Sequence, residues 1–147
     1  MHERTIKTKK NIDVTIKAPP SKSYTNRALI VAALADGKSV IKSPLFSDDT
    51  RYMISALRQF GIKIEVKRDS VIVYGKNGNL DTPKKNIFAG NAGTTMRFIT
   101  SLASLSAGEV LITGDKRMQQ RPISDLLDAL KQLGVKSESS SGFPPVK

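Results

Sequence analysis

The sequence predicts an α/β fold built from a tandem duplication, and three observations carry that reading. The run Ala56-Leu57-Arg58-Gln59-Phe60-Gly61-Ile62-Lys63-Ile64-Glu65 recurs 73 positions later as Ala129-Leu130-Lys131-Gln132-Leu133-Gly134-Val135-Lys136-Ser137-Glu138. Upstream, Ser21 with Arg27 six residues on is echoed 70 positions later by Asn91 with Arg97, and Gly37 is echoed 71 positions later by Gly108. Within each copy, strand-like alternation gives way to helical patterning and back again. A period of about seventy residues is longer than that of solenoid repeats, so the copies read as two α/β supersecondary units packed on one another.

In the first copy, Ile12-Asp13-Val14-Thr15-Ile16 alternates apolar and polar residues as a strand does, and Pro19-Pro20 ends it. Ser21 is placed to cap a helix reaching about Leu34. That helix is apolar on nearly every side, which predicts burial on several faces. Past Asp36-Gly37, Ser39-Val40-Ile41 reads as a short strand. Ser47-Asp48-Asp49-Thr50 then opens a second helix, with acids facing the positive dipole end, and Gly61 closes it. Residues 62–66 and 70–74 read as a β-ribbon turning near Arg68-Asp69. The second copy repeats the order: a strand near Ile87-Phe88, a helix over about 92–106 and a strand over 110–113. A helix over about 122–133 follows, with Pro122 in its first turn and Gly134 at its C-terminal cap, and then a strand. The closing Ser139-Ser140-Ser141-Gly142-Phe143-Pro144-Pro145 has the composition of a turn or linker, so no terminal element is expected.

Of the 147 residues 39% are hydrophobic, enough for a folded core in spite of a formal charge of +11. Cysteine is absent, which excludes disulfides, thiolate metal sites and a thiol nucleophile. The single histidine, His2, leaves a histidine metal centre or a Ser/His/Asp triad nothing to be built from. The longest strongly apolar run, residues 28–35, is far short of the about 20 needed to cross a bilayer, and no secretory pattern accompanies it. A cytoplasmic protein without a membrane partner is expected. The excess positive charge asks for an anionic partner: nucleic acid, an acidic lipid surface, or small phosphorylated and carboxylated ligands.

Three segments carry candidate chemistry. Ser21-Lys22-Ser23-Tyr24-Thr25-Asn26-Arg27 sets hydroxyls and two cations at a helix start, where free backbone N–H groups and the dipole attract anions. Lys22 opposes that dipole, and something anionic would remove the conflict; alternatively Lys22 and Arg27 simply reach solvent. Gly90-Asn91-Ala92-Gly93-Thr94-Thr95-Met96-Arg97 is a second, glycine-bearing helix start with arginine at the matching place, which favours a shared anion pocket. In Lys116-Arg117-Met118-Gln119-Gln120-Arg121-Pro122, Arg121 directly precedes a helix and is the better candidate for bidentate anion binding. Lys116 and Arg117 read equally well as a solvated loop. Gly37-Lys38-Ser39 fails as a P-loop, since Ala32 stands where the earlier glycine is required. Asp48-Asp49 read as ordinary first-turn dipole partners.

Together, Ser21-Lys22-Ser23 with Asn26-Arg27-Ala28-Leu29, Ser47-Asp48-Asp49-Thr50, Gly90-Asn91-Ala92-Gly93-Thr94 with Met96-Arg97, and Arg117-Met118 with Arg121-Pro122-Ile123 resemble the ordered motifs of the 5-enolpyruvylshikimate-3-phosphate synthase family. The resemblance implies transfer of the enolpyruvyl group of phosphoenolpyruvate to the 5-hydroxyl of shikimate 3-phosphate, in aromatic amino-acid biosynthesis, with no metal or organic cofactor. It implies that Lys22 touches both substrates at the reacting centre, that Ser23 and Arg27 hold shikimate 3-phosphate, and that Gly93 and Arg121 hold phosphoenolpyruvate. Asn91, Thr94 and Arg97 would shape that helix start. Phe98 and Thr95 depart from the family's usual proline and smaller residue.

The implied fold is an incomplete inside-out α/β barrel of the enolpyruvyl transferases, with about two of six βαβαββ-type units in an α+β arrangement. Residues 1–18 would form an N-terminal strand or hinge segment, 19–83 the first unit and 84–147 the second. The remaining units, with further arginines and proton-transferring acids, would be the missing partner of a full-length monomer, and this portion is expected to be inactive alone. The sister family, UDP-N-acetylglucosamine enolpyruvyl transferase, shows Lys-Asn where this chain has Lys22-Ser23 and often uses cysteine. A basic nucleic-acid-binding module is the competing class, but aromatics are only 5% and tryptophan is absent, so no nucleic-acid partner is expected.

Overall fold

The computed structural model describes residues 3–147, so His2 lies outside the described residues. The elements are α1 (Lys22–Leu34), β1 (Asp36–Lys42), α2 (Asp48–Gln59), β2 (Lys63–Val66), β3 (Ser70–Lys76) and β4 (Ile87–Phe88). They continue with α3 (Gly93–Ala103), β5 (Ile112–Thr113), a 3-10 turn (Met118–Gln120), α4 (Ser124–Gln132), β6 (Ser139–Ser140) and β7 (Phe143–Val146).

The ribbon of β2 and β3 pairs antiparallel, and β3 also pairs antiparallel with β1, giving the order β1-β3-β2. The second sheet runs β4-β5-β7-β6, with β4 and β5 parallel and the other pairs antiparallel. The order β5-β7-β6 repeats β1-β3-β2, while β4 has no counterpart beside β1. Helices α1, α2 and α3 pack on one another, with the first sheet against α1 and α2 and the second against α2 and α3. One core joins both copies: Leu29, Met53, Leu57, Ile64, Val71 and Val73 meet Ile87, Met96, Ile99, Ile112 and Val146. Each such large apolar side chain, fully buried, contributes about 1.5–3 kcal/mol.

Four expectations need correction. Residues 12–16 form no strand, and Ile12, Val14 and Ile16 are exposed; alternation supplies an apolar face, but a strand also needs a ladder partner and this segment pairs with none. Helix α1 is not buried all round: Leu29, Ala32 and Ala33 are covered, whereas Tyr24 and Val31 are 80% and 67% exposed. Helix α4 begins at Ser124, so Pro122 lies outside its first turn; the strand expected after Gly134 is the two-residue β6. Finally, the chain does end on an element. Ser141 and Gly142, with φ of 54° and 85°, make the turn of a β6–β7 hairpin, and Val146 of β7 pairs with Ile112. The two prolines obscure β7 in the sequence because they remove ladder donors, yet alternate burial of Pro144 and Val146 is that of a strand.

Candidate anion-binding site at three helix starts

Helix α1 is capped by Ser21, whose Oγ accepts from the Tyr24 N–H at 3.4 Å. Thr25 locks this start to the next: its Oγ1 donates to the Ser21 carbonyl at 2.9 Å and accepts from the Leu45 N–H at 3.0 Å. The Leu45 carbonyl in turn accepts from Thr50 Oγ1 at 2.9 Å, and Ser47 and Thr50 form the reciprocal capping box of α2. The third helix joins through Thr95, fully buried in the first turn of α3, whose Oγ1 donates to the Asp49 carbonyl at 3.0 Å. Three helix N-termini are thereby tied into one cluster, each contributing a positive dipole end.

The dipole conflict at Lys22 has its answer here. The Asp49 carboxylate lies 2.9 Å from Lys22 Nζ, with the lysine 45% and the aspartate 24% exposed. Asp49 therefore does more than complement its own helix: its side chain holds the Lys22 ammonium while its carbonyl receives Thr95. Asp48, 84% exposed and 3.8 Å from Arg51, fits the dipole reading.

At α3 the start is open. Its N-cap, Ala92, offers no side-chain cap, leaving the first-turn N–H groups available to a ligand. Gly90, at φ 55°, makes the turn before it, and a Cβ there would strike the Tyr52 ring. A Cβ on Gly93 would lie 3.0 Å from Arg121 Nη1 and 3.5 Å from Arg97 Nη1, so two guanidinium groups converge on that bare backbone. Arg97 is steadied by donation from Nη2 to the Pro122 carbonyl at 3.2 Å. Arg121 follows the 3-10 turn, which Asp115 caps by accepting the Met118 N–H at 2.8 Å; the Asp115 N–H donates to the Gly90 carbonyl at 3.1 Å. Arg121 is half-buried, while Lys116 and Arg117 are exposed, in keeping with a solvated loop.

Arg27 donates from Nη1 to the Ser23 carbonyl at 3.2 Å and lies over the Phe98 ring, 5.5 Å from its centroid. Among the described residues, none of Arg27, Arg97 and Arg121 has a carboxylate partner. Ser23 and Asn91 are exposed at the starts of α1 and α3, and Thr94 is half-buried. Asn26, wholly buried beside Arg27, has both amide atoms unpartnered. The structure thus brings together Lys22 with Asp49, Arg27 with Phe98, and Gly93 with Arg97 and Arg121. The sequence brings Asp49 and Phe98 into view but gives neither its partner here; the one signal it offers is a lysine at a helix start lacking an anion. Two grooves lie away from these helix starts, one near Leu130, Val135 and Val146 and another near Phe46, Ile54 and Val66. Among the described residues no cluster of three metal-ligating side chains occurs, and no helix is long and apolar enough to cross a membrane.

Helix starts tied together, with guanidinium groups that have no carboxylate partner among the described residues beside them, define the candidate site of an α/β fold. The model of the EPSP synthase (3-phosphoshikimate 1-carboxyvinyltransferase) family matches residues 6–147. The chain belongs to that family. It is 46% identical over 144 residues to the 3-phosphoshikimate 1-carboxyvinyltransferase of Methanothermobacter thermautotrophicus, covering 97% of this chain and 34% of that protein. The Rhizobium etli enzyme of the same name is 47% identical over 128 residues, covering 87% and 30%. Among solved structures, EPSP synthase from Acinetobacter baumannii superposes with a TM-score of 0.84 at 27% identity, over 89% of this chain and 31% of that one. The chain thus spans about a third of the length of the curated relatives it matches.

Proposed function

We propose that this chain is the N-terminal portion of an enolpyruvyl transferase that joins phosphoenolpyruvate to shikimate 3-phosphate in the cytoplasm, and that alone it does not turn over. The observation that carries the reading is the convergence of Arg97 and Arg121 on the uncapped, side-chain-free start of α3 at Gly93. A carboxylate or phosphate there would meet backbone N–H donors, a dipole end and two guanidinium forks at once. Gly93 and Arg121 are assigned to phosphoenolpyruvate, with Asn91, Thr94 and Arg97 shaping the cradle. Ser23 and Arg27, at the start of α1, are assigned to shikimate 3-phosphate.

The reaction forms a bond from the 5-hydroxyl oxygen to the enol carbon, breaks the bond from that carbon to phosphate, and sheds the hydroxyl proton. Both reactants are multiply charged anions, so the first task of the protein is to offset their repulsion and hold them in reach. Lys22, at the start of α1 and held by Asp49 at the start of α2, is assigned the position touching both. Residues 19–83 and 84–147 are read as two units, with the remaining units bringing the groups that receive and return protons.

Titration of the protein with shikimate 3-phosphate, followed by NMR, is expected to shift Lys22, Ser23 and Arg27 in a compact patch. Phosphoenolpyruvate is expected to shift Gly93 and Arg121. Shifts scattered over the basic surface, with steep loss on adding salt, would count against the assignment and for a general polyanion binder. Appreciable phosphate release from both substrates by the purified 147-residue chain would overturn the statement that it needs the remaining units.

A further inference from the structure

Arg27 is held differently from the other cations of the site. Lys22 is balanced by a carboxylate. Arg27 instead rests over the face of Phe98 at 5.5 Å, inside the range at which a ring quadrupole attracts a guanidinium. A ring orders a cation without neutralising it. The other tether, from Nη1 to the Ser23 carbonyl, leaves the remaining N–H groups of the guanidinium for a ligand. The two partners also differ in freedom: Phe98 is half-buried and packed against the core from α3, whereas Arg27 is exposed on α1. The ring is the fixed platform and the arginine is the group being placed.

We propose that Phe98 is a positioning residue, whose ring face orders Arg27 toward an anion bound at the neighbouring starts of α1 and α3. This rests on the assignment of Arg27 to shikimate 3-phosphate above. An unordered arginine gives up substantial side-chain entropy when a ligand fixes it, and a platform that fixes it beforehand lowers that cost. A cation–π contact at an exposed site corresponds to about a two- to fivefold change in affinity.

The test compares wild type with Phe98→Leu and Phe98→Tyr, using shikimate 3-phosphate and, separately, inorganic phosphate as probes. The side-chain NMR resonances of Arg27, identified from their loss in Arg27→Lys, report the ring directly through an upfield ring-current shift. Phe98→Leu is expected to abolish that shift and weaken binding two- to fivefold. Phe98→Tyr is expected to keep both, with the two variants matched in thermal stability. Equal weakening by Leu and Tyr, unchanged affinity in Leu, or an Arg27 shift that survives in Leu overturns the proposal. Wild type that binds phosphate with Phe98 dependence but ignores shikimate 3-phosphate refutes the substrate assignment while supporting the positioning role. Wild type that binds neither overturns both.

Discussion

Asp49→Asn neutralises the carboxylate facing Lys22 while keeping its shape and the carbonyl that receives Thr95. The ion pair is short, at 2.9 Å, but both partners keep contact with water, so its worth is that of a half-exposed pair, about 0.2–1 kcal/mol. Asp49 also sits in the first turn of α2, where a carboxylate contributes about 0.3–1 kcal/mol against the dipole. The two together give a loss of about 1 kcal/mol, or roughly 3 °C in Tm for a chain of this size. Asp48→Asn is the control: it removes a first-turn acid too, but its own pair, with Arg51 at 3.8 Å and both ends mostly in water, adds little. Urea denaturation of Asp49→Asn, Lys22→Met and the double variant isolates the pair itself, because the dipole contribution cancels in the cycle. A coupling energy of about 0.5 kcal/mol is expected. A coupling below about 0.2 kcal/mol, or equal losses in Asp48→Asn and Asp49→Asn, refutes the reading that Asp49 holds Lys22 in place.

The remaining expectations concern the other ties of the structure. Thr95→Val deletes the bond from α3 to the Asp49 carbonyl and should cost about 1 kcal/mol in urea denaturation, with Thr95→Ser retaining most of it; equal loss in both would show that packing, not the bond, matters. Arg121→Ala should abolish the shifts that phosphoenolpyruvate induces at Gly93, whereas Arg117→Ala should leave them intact; the reverse pattern would move the site to the loop. In the first sheet, the Tyr74 hydroxyl donates to Glu65 Oε1 at 3.1 Å and Lys67 lies 3.4 Å from Oε2, and these bonds, Tyr74 first, hold the Glu65 carboxyl below its ordinary 4.5. The same bond raises the Tyr74 hydroxyl above its ordinary 10.0. Glu65 therefore contributes stability above pH 4.5 that is lost as pH falls through its lowered folded value, and Tyr74 contributes below pH 10.0 what is lost as pH rises through its raised one. Tyr74→Phe, which keeps the ring under Lys63, should be less stable than wild type between those limits and converge with it beyond either; a difference independent of pH would contradict this.

What the sequence disclosed follows the range of the forces involved. The helix starts were legible because their chemistry is local: Ser21 with Tyr24, and Ser47 with Thr50, are three residues apart in chain and in structure. The β2–β3 ribbon was legible for the same reason. Residues 12–16 alternate as one strand does, whereas pairing is a property of two, and Pro144 and Pro145 weigh against β7 until Ile112 is seen beside Val146. The apolar run of α1 predicts burial on several faces, but which face is covered depends on α2, α3 and β3, and Val31 is left exposed.

The site divides along the same line. Cations at helix starts could be singled out one by one, but the partner of each lies far along the chain: Asp49 for Lys22, Phe98 for Arg27, Pro122 for Arg97. Lys22 alone announced that a partner was needed, since a cation at a helix start is unfavourable unless something anionic stands near it. In the sequence Asp49 looks fully accounted for by its own helix, whose first turn already favours an acid. An acid in a first turn thus has two independent reasons to be there, and satisfying one does not exhaust the other. Where a misplaced cation and a well-placed anion occur at neighbouring helix starts of one fold, the pair is the simpler explanation of both.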